Sequence, residues 1–389
     1  MCSIRIDLSG SIEIEVRQML IGGFYHIDID LMKNEPKKED FLLRCDGKDQ
    51  YKRKIYTNNG RTATVYALQN GIKPKKGDII LVPDYLCISV INSLEVTEGE
   101  FRFYHVRADL TIDLEDLERK LDDKVKVLYV IHYFGIPQPL KIVNSIKKMK
   151  EQYGFQLVED LTQTLYSKDT ERMGFGDYLV SSTRKWLPVT DGGLLAVRNG
   201  APLDEVPMED GYDEAVYRQL LISIARDQMQ MNAEEKESIN EYLQLEKAAN
   251  AARYFNFTPK KMTEATRRVL FQYNHQQSMK KRRDNYMTLY HELEEVPGLG
   301  NPVGPMDPEG NYVPFGFVVL VEKRDEFYWY LAERGIIGEI QWVLPTEYYQ
   351  PGKAAEYLSE HNLMLSCDQR YGEKEMLYVA EVIKEYFRR

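Results

Sequence analysis

A chain of 389 residues is longer than one hydrophobic core usually supports, which indicates two domains or a large domain with a smaller partner. A hydrophobic fraction of 43% and a charged fraction of 29% are typical of a globular protein and exclude a disordered or fibrous one. The net charge of -10 argues against a nucleic-acid backbone as the main partner, because phosphate neutralisation needs an excess of Lys and Arg.

The chain shows no sign of a membrane segment, a secretion signal or a metal centre. No apolar run approaches the ~20 residues that a bilayer span needs, and residues 1–18 lack the basic start and apolar middle of a signal peptide. The four cysteines include no C-x-x-C pair and the six histidines no H-x-x-x-H pair, which disfavours disulfides and zinc. We therefore expect a cytoplasmic protein without a metal and without a membrane partner.

Residues 1–50 are interpreted as an arm that lies on the main domain or on a neighbouring subunit. Beyond them, short β-rich runs alternate with helical patterns. Strands and helices in succession predict an α/β fold with a mostly parallel sheet covered by helices on both faces, and ligands in such sheets bind at the carboxyl ends of the strands. The β-rich runs cover residues 78–85, 124–135, 155–160, 177–183 and 192–199.

The clearest helical pattern lies between the second and third of these runs, over residues 139–154. A proline stands at its start and a glycine at its end, as is usual for helix boundaries. The pattern predicts that one face of this helix packs on the sheet through Leu140, Val143, Ile146 and Met149.

From about residue 205 the chain is rich in long, charged, helix-favouring segments, which cover 212–231, 233–255 and 264–295. A turn-rich connector over 296–311 leads to further β and helical patterns, which predict a smaller C-terminal α/β domain. We therefore divide the chain into three parts: an N-terminal segment 1–50, a large domain 51–250, and connecting helices with a small domain 251–389.

A turn that enters a helix, TNNGRTATVYALQNG (57–71), is the first candidate binding motif. Gly60, Arg61 and Thr62 stand at the predicted helix start, where backbone N–H groups and the helix dipole attract an anion such as phosphate. An Asn-Gly pair more often only turns the chain, so the motif alone does not separate a phosphate site from an ordinary turn.

An acidic pair ends a hydrophobic strand in VEDLTQ (158–163), at the edge of the sheet where ligands bind. A buried carboxylate needs a partner. Asp160 would suit a protonated ring nitrogen, because opposite charges within ~4 to 6 Å favour each other's charged form. A helix cap or a surface salt bridge would explain the same residues.

The stretch SSTRKWLPVTDGG (181–193) places a lysine between a serine pair and a glycine pair. Ser181 and Ser182 can donate to a phosphate, and the glycines let the backbone pass close to a bound group. Lysine forms an imine with a carbonyl, most readily when burial or a nearby cation lowers its pKa. Lys185 is therefore a candidate nucleophile, with a solvated charge or a phosphate clamp as the alternatives.

Together the three motifs suit one ligand. A phosphate site, a carboxylate for a pyridinium and an imine-forming lysine follow one another along an α/β chain. Pyridoxal 5'-phosphate (PLP) is the cofactor that uses all three, because the acid keeps its ring nitrogen protonated so that the ring can accept electrons. The sequence therefore predicts a PLP site.

At these motifs the sequence resembles the fold-type I PLP enzymes, and within them the DegT/StrS branch of sugar-aminotransferase-like proteins. The resemblance spans roughly residues 50 to 290 and, more loosely, the rest. It is carried by the three motifs, by HYFGIPQPL (132–140), and by FNFTPKKMTEATRRVLFQYN (255–274), which resembles the segment that in this family reaches into the neighbouring subunit's active site.

The resemblance implies a role for each candidate residue. Lys185 would bind the cofactor and shuttle the proton, Asp160 would be the pyridinium partner, and Gln163 would contact the ring. An aromatic side chain normally stacks on the ring in this family, and Tyr85 is the candidate, with core packing as the alternative. The implied cofactor contacts are Gly60, Arg61, Thr62, Tyr85, Asp160, Gln163, Ser181, Ser182, Lys185 and Asn256.

Three departures from the family pattern concern the substrate more than the cofactor. The phosphate turn usually reads Ser-Gly-Thr-Ala and here reads NGRT (59–62), and Asp191 stands where Glu is common. The Asn-x-Arg of the cross-subunit segment appears only as Asn256 with lysines nearby. Arg370 is a candidate for binding a substrate carboxylate, with a structural salt bridge as the alternative.

The leading functional hypothesis is a PLP-dependent aminotransferase that moves an amino group from glutamate to a keto substrate, a keto sugar being one candidate. The alternatives are another PLP enzyme on this fold, namely a lyase, racemase or decarboxylase, and a non-catalytic PLP-fold binding protein. The resemblance also implies a homodimer, because the family's active site is shared between subunits.

Overall fold

The computed structural model describes residues 2–6, 12–16, 20–23, 25, 29–33, 35, 43–46, 49–231, 244 and 257–389. The helix predicted over 233–255 lies outside these ranges except at position 244, and Asn256 lies outside them altogether. Within these ranges, no helix combines the length and the apolar character required to cross a lipid bilayer.

A seven-stranded sheet is the centre of the described structure. Its strands are β3 Arg53–Thr57, β4 Ile79–Pro83, β5 Glu100–Tyr104, β6 Val125–Ile131, β7 Gln156–Asp160, β8 Tyr178–Ser181 and β9 Gly193–Val197. Before them, β1 Cys2–Ile6 and β2 Ile12–Val16 form an antiparallel pair. The order across the sheet is β3-β9-β8-β7-β6-β4-β5.

Most of this sheet is parallel. The strands β5, β4, β6, β7 and β8 all run in one direction, whereas β9 is antiparallel to both β8 and β3. Strand β4 is buried along its whole length, as expected for a parallel strand with both faces covered. The carboxyl ends of the parallel strands therefore meet at one edge, and β9 begins there because Gly193 pairs with Thr57. The predicted fold class is confirmed.

Helices flank the sheet and alternate with turns and loops along the rest of the described chain. Their bounds are α1 Ile29–Lys33, α2 Gly60–Ala67, α3 Ile88–Leu94, α4 Leu114–Arg119, α5 Leu140–Tyr153, α6 Glu214–Met231, α7 Glu264–Gln272, α8 His275–Leu293, α9 Arg324–Ala332, α10 Lys353–His361 and α11 Glu373–Phe387.

Helix α5 forms where the sequence predicts it, but the prediction of its packing face is wrong for one residue. Val143, Ile146 and Met149 are buried, whereas Leu140 is 40% exposed and Ile142 is buried in its place. In a helix of 3.6 residues per turn, side chains three residues apart point about 60° away from each other. A run of residues spaced strictly by three therefore turns out of the buried face after a few steps. Leu140 has rotated away from the sheet for this reason.

The segment 264–295, predicted as one helical stretch, is divided into α7 and α8. Tyr273 has extended backbone angles between them, and the side chain of Asn274 accepts a hydrogen bond from the Gln277 N–H at 3.1 Å. Asparagine is among the best N-cap residues, because its side chain satisfies an N–H group that the first helical turn leaves open. Asn274 therefore starts a new helix.

The C-terminal unit is built on a second antiparallel pair, β10 Phe317–Leu320 and β11 Asn362–Leu365. Side chains alternate along these strands between two apolar cores. Phe317 and Leu363 face a smaller core that also contains residues of α8, α9 and α11, whereas Val318 and Met364 belong to the core of the large sheet. The predicted smaller α/β unit is present, while the domain boundary at 250/251 stays a prediction.

A short N-terminal stretch packs on this C-terminal unit. The Ile21 N–H donates to the carbonyl of Gly335, and the Ile337 N–H donates to the carbonyl of Ile21, both at 2.7 Å. Leu20 and Ile21 are buried by this contact. The stretch around Ile21 thus lies against the chain's own C-terminal unit, whereas the interpretation of residues 1–50 as an arm stays a prediction.

Candidate active site

A cavity of about 480 Å³ opens at the edge where the parallel strands end. Six residues of the predicted set line it: Gly60, Arg61, Asp160, Gln163, Ser182 and Lys185. They come from the start of α2, the end of β7, the turn after it and the loop after β8. The three sequence motifs thus meet in one cavity, although more than 120 residues separate the first from the last.

Lys185 stands on a short 3-10 turn, Thr183–Lys185, directly after β8. Burial of its amine lowers the pKa of Lys185, and Arg184 lowers it further, while Cys87 and the carboxylates of Glu339 and Asp160 act in the opposite direction. Its Nζ lies 5.7 Å from the ring centroid of Phe315. A lysine with a lowered pKa is more often unprotonated, which is the form that attacks a carbonyl.

Asp160 is the last residue of β7 and is 7% exposed. One carboxylate oxygen, Oδ1, accepts from the Thr162 N–H at 2.7 Å, and the other, Oδ2, accepts from the Tyr129 hydroxyl at 2.8 Å. Each oxygen of a carboxylate can accept a further hydrogen bond. The carboxylate is thus held in place with capacity left for a donor in the cavity.

Its neighbour Glu159 has a structural role on the other side of the strand. Its carboxylate accepts from the backbone N–H groups of Gly174, Phe175 and Gly176 at 2.7 to 2.9 Å. His132 Nδ1 accepts from the Gln138 N–H, so its Nε2 carries the proton and donates to Glu159 at 3.0 Å. Of the acidic pair, Glu159 therefore anchors a loop and Asp160 faces the cavity.

The turn before α2 is closed by a capping box. The Asn59 side chain accepts from the Thr62 N–H at 3.0 Å, and the Thr62 hydroxyl oxygen accepts from the Asn59 N–H at 3.2 Å. Thr62 does not line the cavity, because its side chain is used in the cap. The helix start itself, at Gly60 and Arg61, faces the cavity, and that geometry favours an anion.

Close backbone contact joins this turn to the lysine loop. The Gly192 N–H donates to the Asn58 carbonyl at 2.7 Å. A Cβ atom on Gly193 would lie 2.1 Å from the Asn59 carbonyl oxygen, and one on Gly60 would lie 3.1 Å from the Ser182 Cβ. Position 193 therefore needs glycine for steric reasons, and position 60 leaves little room for a side chain, so the glycine pair and the Asn-Gly turn pack closely on each other.

Asp191 connects the lysine loop to α7. Its carboxylate accepts from the Thr263 N–H at 2.8 Å and from the Thr263 hydroxyl at 2.6 Å, and the Thr266 hydroxyl also donates to it. Burial raises the pKa of Asp191, whereas these donors lower it. The acid before the glycine pair thus has a structural role here.

Three further predicted residues, Thr62, Tyr85 and Ser181, do not line the cavity. Tyr85 is fully buried, donates its hydroxyl to the Gln341 carbonyl, and packs its ring 5.3 Å from that of Trp342. Ser181 donates to the Leu161 carbonyl at 3.3 Å. Thr62 serves the helix cap, and Asn256 lies outside the described residues. Core packing, the alternative for Tyr85, is the arrangement that the structure shows.

The cavity also contains residues that sequence reasoning missed. Cys87 lines it two positions after Tyr85, and Glu339, Gln341 and Trp342 reach it from the C-terminal unit. Gln163 Nε2 donates to Gln341 Oε1 at 3.1 Å, and Gln341 Nε2 donates to Glu339 Oε2 at 3.0 Å. No local pattern in 339–342 indicates this, because tertiary folding alone brings that loop to the sheet edge.

The N-terminal stretch contributes to the same cavity through Gly23 and Tyr25. The Tyr25 hydroxyl accepts a hydrogen bond from the buried guanidinium of Arg282. Arg370 packs over the Tyr25 ring, with its Cζ 4.4 Å from the ring centroid. Arg370 itself is held by Asp368 through two hydrogen bonds of 2.7 and 2.8 Å, so the structural salt bridge, one of the two alternatives for this arginine, is present.

The Asp368→Asn variant is expected to be less stable than wild type at neutral pH. Arg370 beside Asp368 lowers the pKa of this carboxyl to about 2 against the opposing effect of burial. A depressed pKa stabilises the fold above the unfolded-state value near 3.9, by about 2 to 3 kcal/mol at pH 7, and this contribution is lost as the pH falls towards 2. Urea unfolding at pH 7 and pH 3 measures both.

The matched control is Glu381→Gln, which removes the exposed ion pair between Glu381 and Arg388. Exposed pairs contribute less than about 1 kcal/mol, so this variant should match wild type at both pH values. Equal unfolding free energies for Asp368→Asn and Glu381→Gln at pH 7 would contradict the structural role of the buried pair.

The residues present fit the cofactor that the sequence predicts. A lysine amine with a lowered pKa, a fixed carboxylate and a helix start with a glycine all face one cavity. Its volume falls within the ~300 to 1,000 Å³ of small-molecule sites. These are the groups that a carbonyl, a ring nitrogen and a phosphate of one small aromatic molecule require.

Fold and cavity together define an α/β protein of the aminotransferase class. The chain belongs to the DegT/DnrJ/EryC1/StrS aminotransferase family, whose model matches residues 48–383. The resemblance seen in the motifs is thereby confirmed at the level of the family.

Known proteins are similar to this chain at low sequence identity. It is 21% identical over 153 residues to a GDP-perosamine synthase of Vibrio cholerae, a match over 38% of this chain and only 41% of that enzyme. Among solved structures, DesV of S. venezuelae has a TM-score of 0.61 at 19% identity, over 86% of this chain and 85% of DesV. TlmJ of Streptoalloteichus hindustanus has 0.64 at 16% identity, over 96% and 98%. At these identities the structures show the fold.

Proposed function

We propose that the protein is a PLP-dependent aminotransferase that moves an amino group from an amino donor, glutamate, to a small keto acceptor. The observation that carries this proposal is the meeting of Lys185, Asp160 and the start of α2 in one cavity. Membership of the aminotransferase family supports it. The acceptor class is a keto sugar, as suggested by the relative that is named a GDP-perosamine synthase.

Each residue has a task in this proposal. The Lys185 amine takes the proton from the donor's α-carbon and returns it on the acceptor side, as a general base and then a general acid. Asp160 holds a proton on the ring nitrogen, and the start of α2 with Gly60, Arg61 and Ser182 holds the phosphate. PLP, when bound, supplies an electron sink for the carbanion that this proton transfer leaves.

We also propose that the protein acts as a homodimer in the cytoplasm. The likeness of 255–274 to the family's cross-subunit segment supports the dimer. Light scattering on protein eluting from a size-exclusion column measures its mass, which should be twice the 45.5 kDa of a single chain. A mass near that of a single chain would contradict the dimer.

The proposal is tested by absorption spectroscopy on purified protein supplied with PLP. Glutamate alone should convert the bound cofactor to pyridoxamine phosphate, with one 2-oxoglutarate released per site, and a keto acceptor should reverse the change. Release of carbon dioxide or loss of the donor's chirality without conversion would instead indicate a decarboxylase or a racemase. Bound PLP that responds to no amino donor would indicate a binding protein.

A further inference from the structure

Tyr129 lies beside Asp160 at the base of the cavity. It is in the middle of β6, next to β7, and Tyr129 pairs with Val158 while Ile131 pairs with Asp160. Paired residues of parallel strands point to the same side of the sheet, so Tyr129 and Asp160 are diagonal neighbours on one face. Both line the cavity, and the Tyr129 hydroxyl lies 2.8 Å from Asp160 Oδ2.

The direction of this hydrogen bond follows from protonation. Burial, and next the negative charge of Asp160, hold the pKa of Tyr129 well above its ordinary value. The phenol therefore keeps its proton and donates a hydrogen bond to the carboxylate. A hydrogen bond from a neutral donor to a carboxylate is charge-assisted, and it stabilises negative charge on the accepting oxygen.

Tyr129 is itself held in place. The Tyr104 hydroxyl donates to the Tyr129 backbone carbonyl at 2.8 Å, and Tyr129 is 1% exposed. Its hydroxyl also interacts with Thr64 of α2, the helix whose start faces the cavity. A rigid donor on one oxygen, together with the Thr162 N–H on the other, leaves the Asp160 carboxylate little freedom to rotate.

We infer that Tyr129 is a positioning residue for the ring-nitrogen partner: its hydroxyl holds the Asp160 carboxylate in a fixed orientation in the cavity. The inference rests on the proposed function. A carboxylate that already has the required orientation does not have to reorient when a protonated ring nitrogen lies beside it, so no free energy is lost to reorganisation. Removing the hydroxyl should therefore weaken both cofactor binding and catalysis.

The test compares Tyr129→Phe with Tyr178→Phe. Each change removes one buried phenol hydroxyl from a strand of the central sheet, but only the first removes a bond to Asp160, because the Tyr178 hydroxyl donates to the Pro202 carbonyl. Hydrogen bonds to charged groups contribute enough for a change of about 10- to 100-fold. Tyr129→Phe should raise the PLP dissociation constant of the cofactor-free protein and lower kcat by such a factor, with donor KM changed less than about threefold. Tyr178→Phe should leave all three near wild type, because Tyr178 does not line the cavity.

A double-mutant cycle separates positioning from general stability. In an Asp160→Asn background, adding Tyr129→Phe should change PLP affinity by less than about twofold, because the charge that the hydroxyl serves is gone. If the two changes are additive, or if Tyr129→Phe behaves as Tyr178→Phe does, the inference is wrong while the proposed function stands. If the wild-type protein binds no PLP, the proposed function falls and this inference falls with it.

Discussion

The Lys185→Ala variant is expected to lose amino transfer from glutamate, with kcat about 10² to 10⁴-fold below wild type. The side chain that exchanges protons with the donor's α-carbon is then missing from a cavity in which the other residues keep their contacts. Single-turnover measurement of pyridoxamine phosphate formed from bound PLP checks the result without depending on the acceptor.

Lys185→Arg is the matched control, because it keeps a positive charge of similar reach beside Cys87 and Asp160. Arginine stays protonated in proteins and cannot act as a base. Both variants should fail to convert PLP. Retained conversion in Lys185→Ala would show that another group moves the proton and would remove the basis of the proposed mechanism.

The Asp160→Asn variant is expected to bind PLP more weakly and to lower kcat about 100-fold or more, while the protein keeps its thermal stability. Asparagine fills the same space, and its single oxygen can still accept from the Thr162 N–H while its NH2 group faces the Tyr129 hydroxyl. It carries no negative charge to hold a proton on a ring nitrogen. A loss of 100-fold corresponds to about 2.7 kcal/mol, a reasonable value for removing one charge partner in a buried site.

Glu159→Gln is the control for this prediction, since the two acids are adjacent in β7 and point to opposite sides. Glu159 accepts three backbone hydrogen bonds from the 174–176 loop, so its loss should reduce stability by about 1 to 3 kcal/mol and leave the rate per folded molecule near wild type. The reverse outcome, a stable but inactive Glu159→Gln with an active Asp160→Asn, would show that Asp160 is not the partner of the ring nitrogen.

Local sequence patterns were sufficient for five of the seven strands of the sheet, all but β3 and β5, and for much of the site. The five β-rich runs correspond to β4 and to β6 through β9. Because parallel strands end at one edge of the sheet, residues far apart in sequence could be predicted to lie close together. Asp160 and Lys185 lie at or just after strand ends, where this reasoning applies directly. Their positions at one cavity are now described, whereas their roles stay predictions.

The same reasoning failed where strand geometry no longer applies. Tyr85 lies two residues beyond the end of β4, where alternation does not decide which way a side chain points, and it packs inside while Cys87 faces the cavity. Glu339 and Gln341 reach the site through long-range packing of the C-terminal unit, which leaves no local signal. The division of 264–295 was readable in principle from Asn274, a good helix-capping residue.

The docking of Ile21 between Gly335 and Ile337 has a practical consequence for handling the protein. Two residues further on, Gly23 begins a piece of the cavity wall that Tyr25 completes above Arg282. Removing the first thirty residues would thus open the cavity on the side of Gly23 and Tyr25. It would also remove the hydroxyl that accepts from the buried guanidinium of Arg282. Fusion partners are better attached after α11, where Arg388 and Arg389 are exposed.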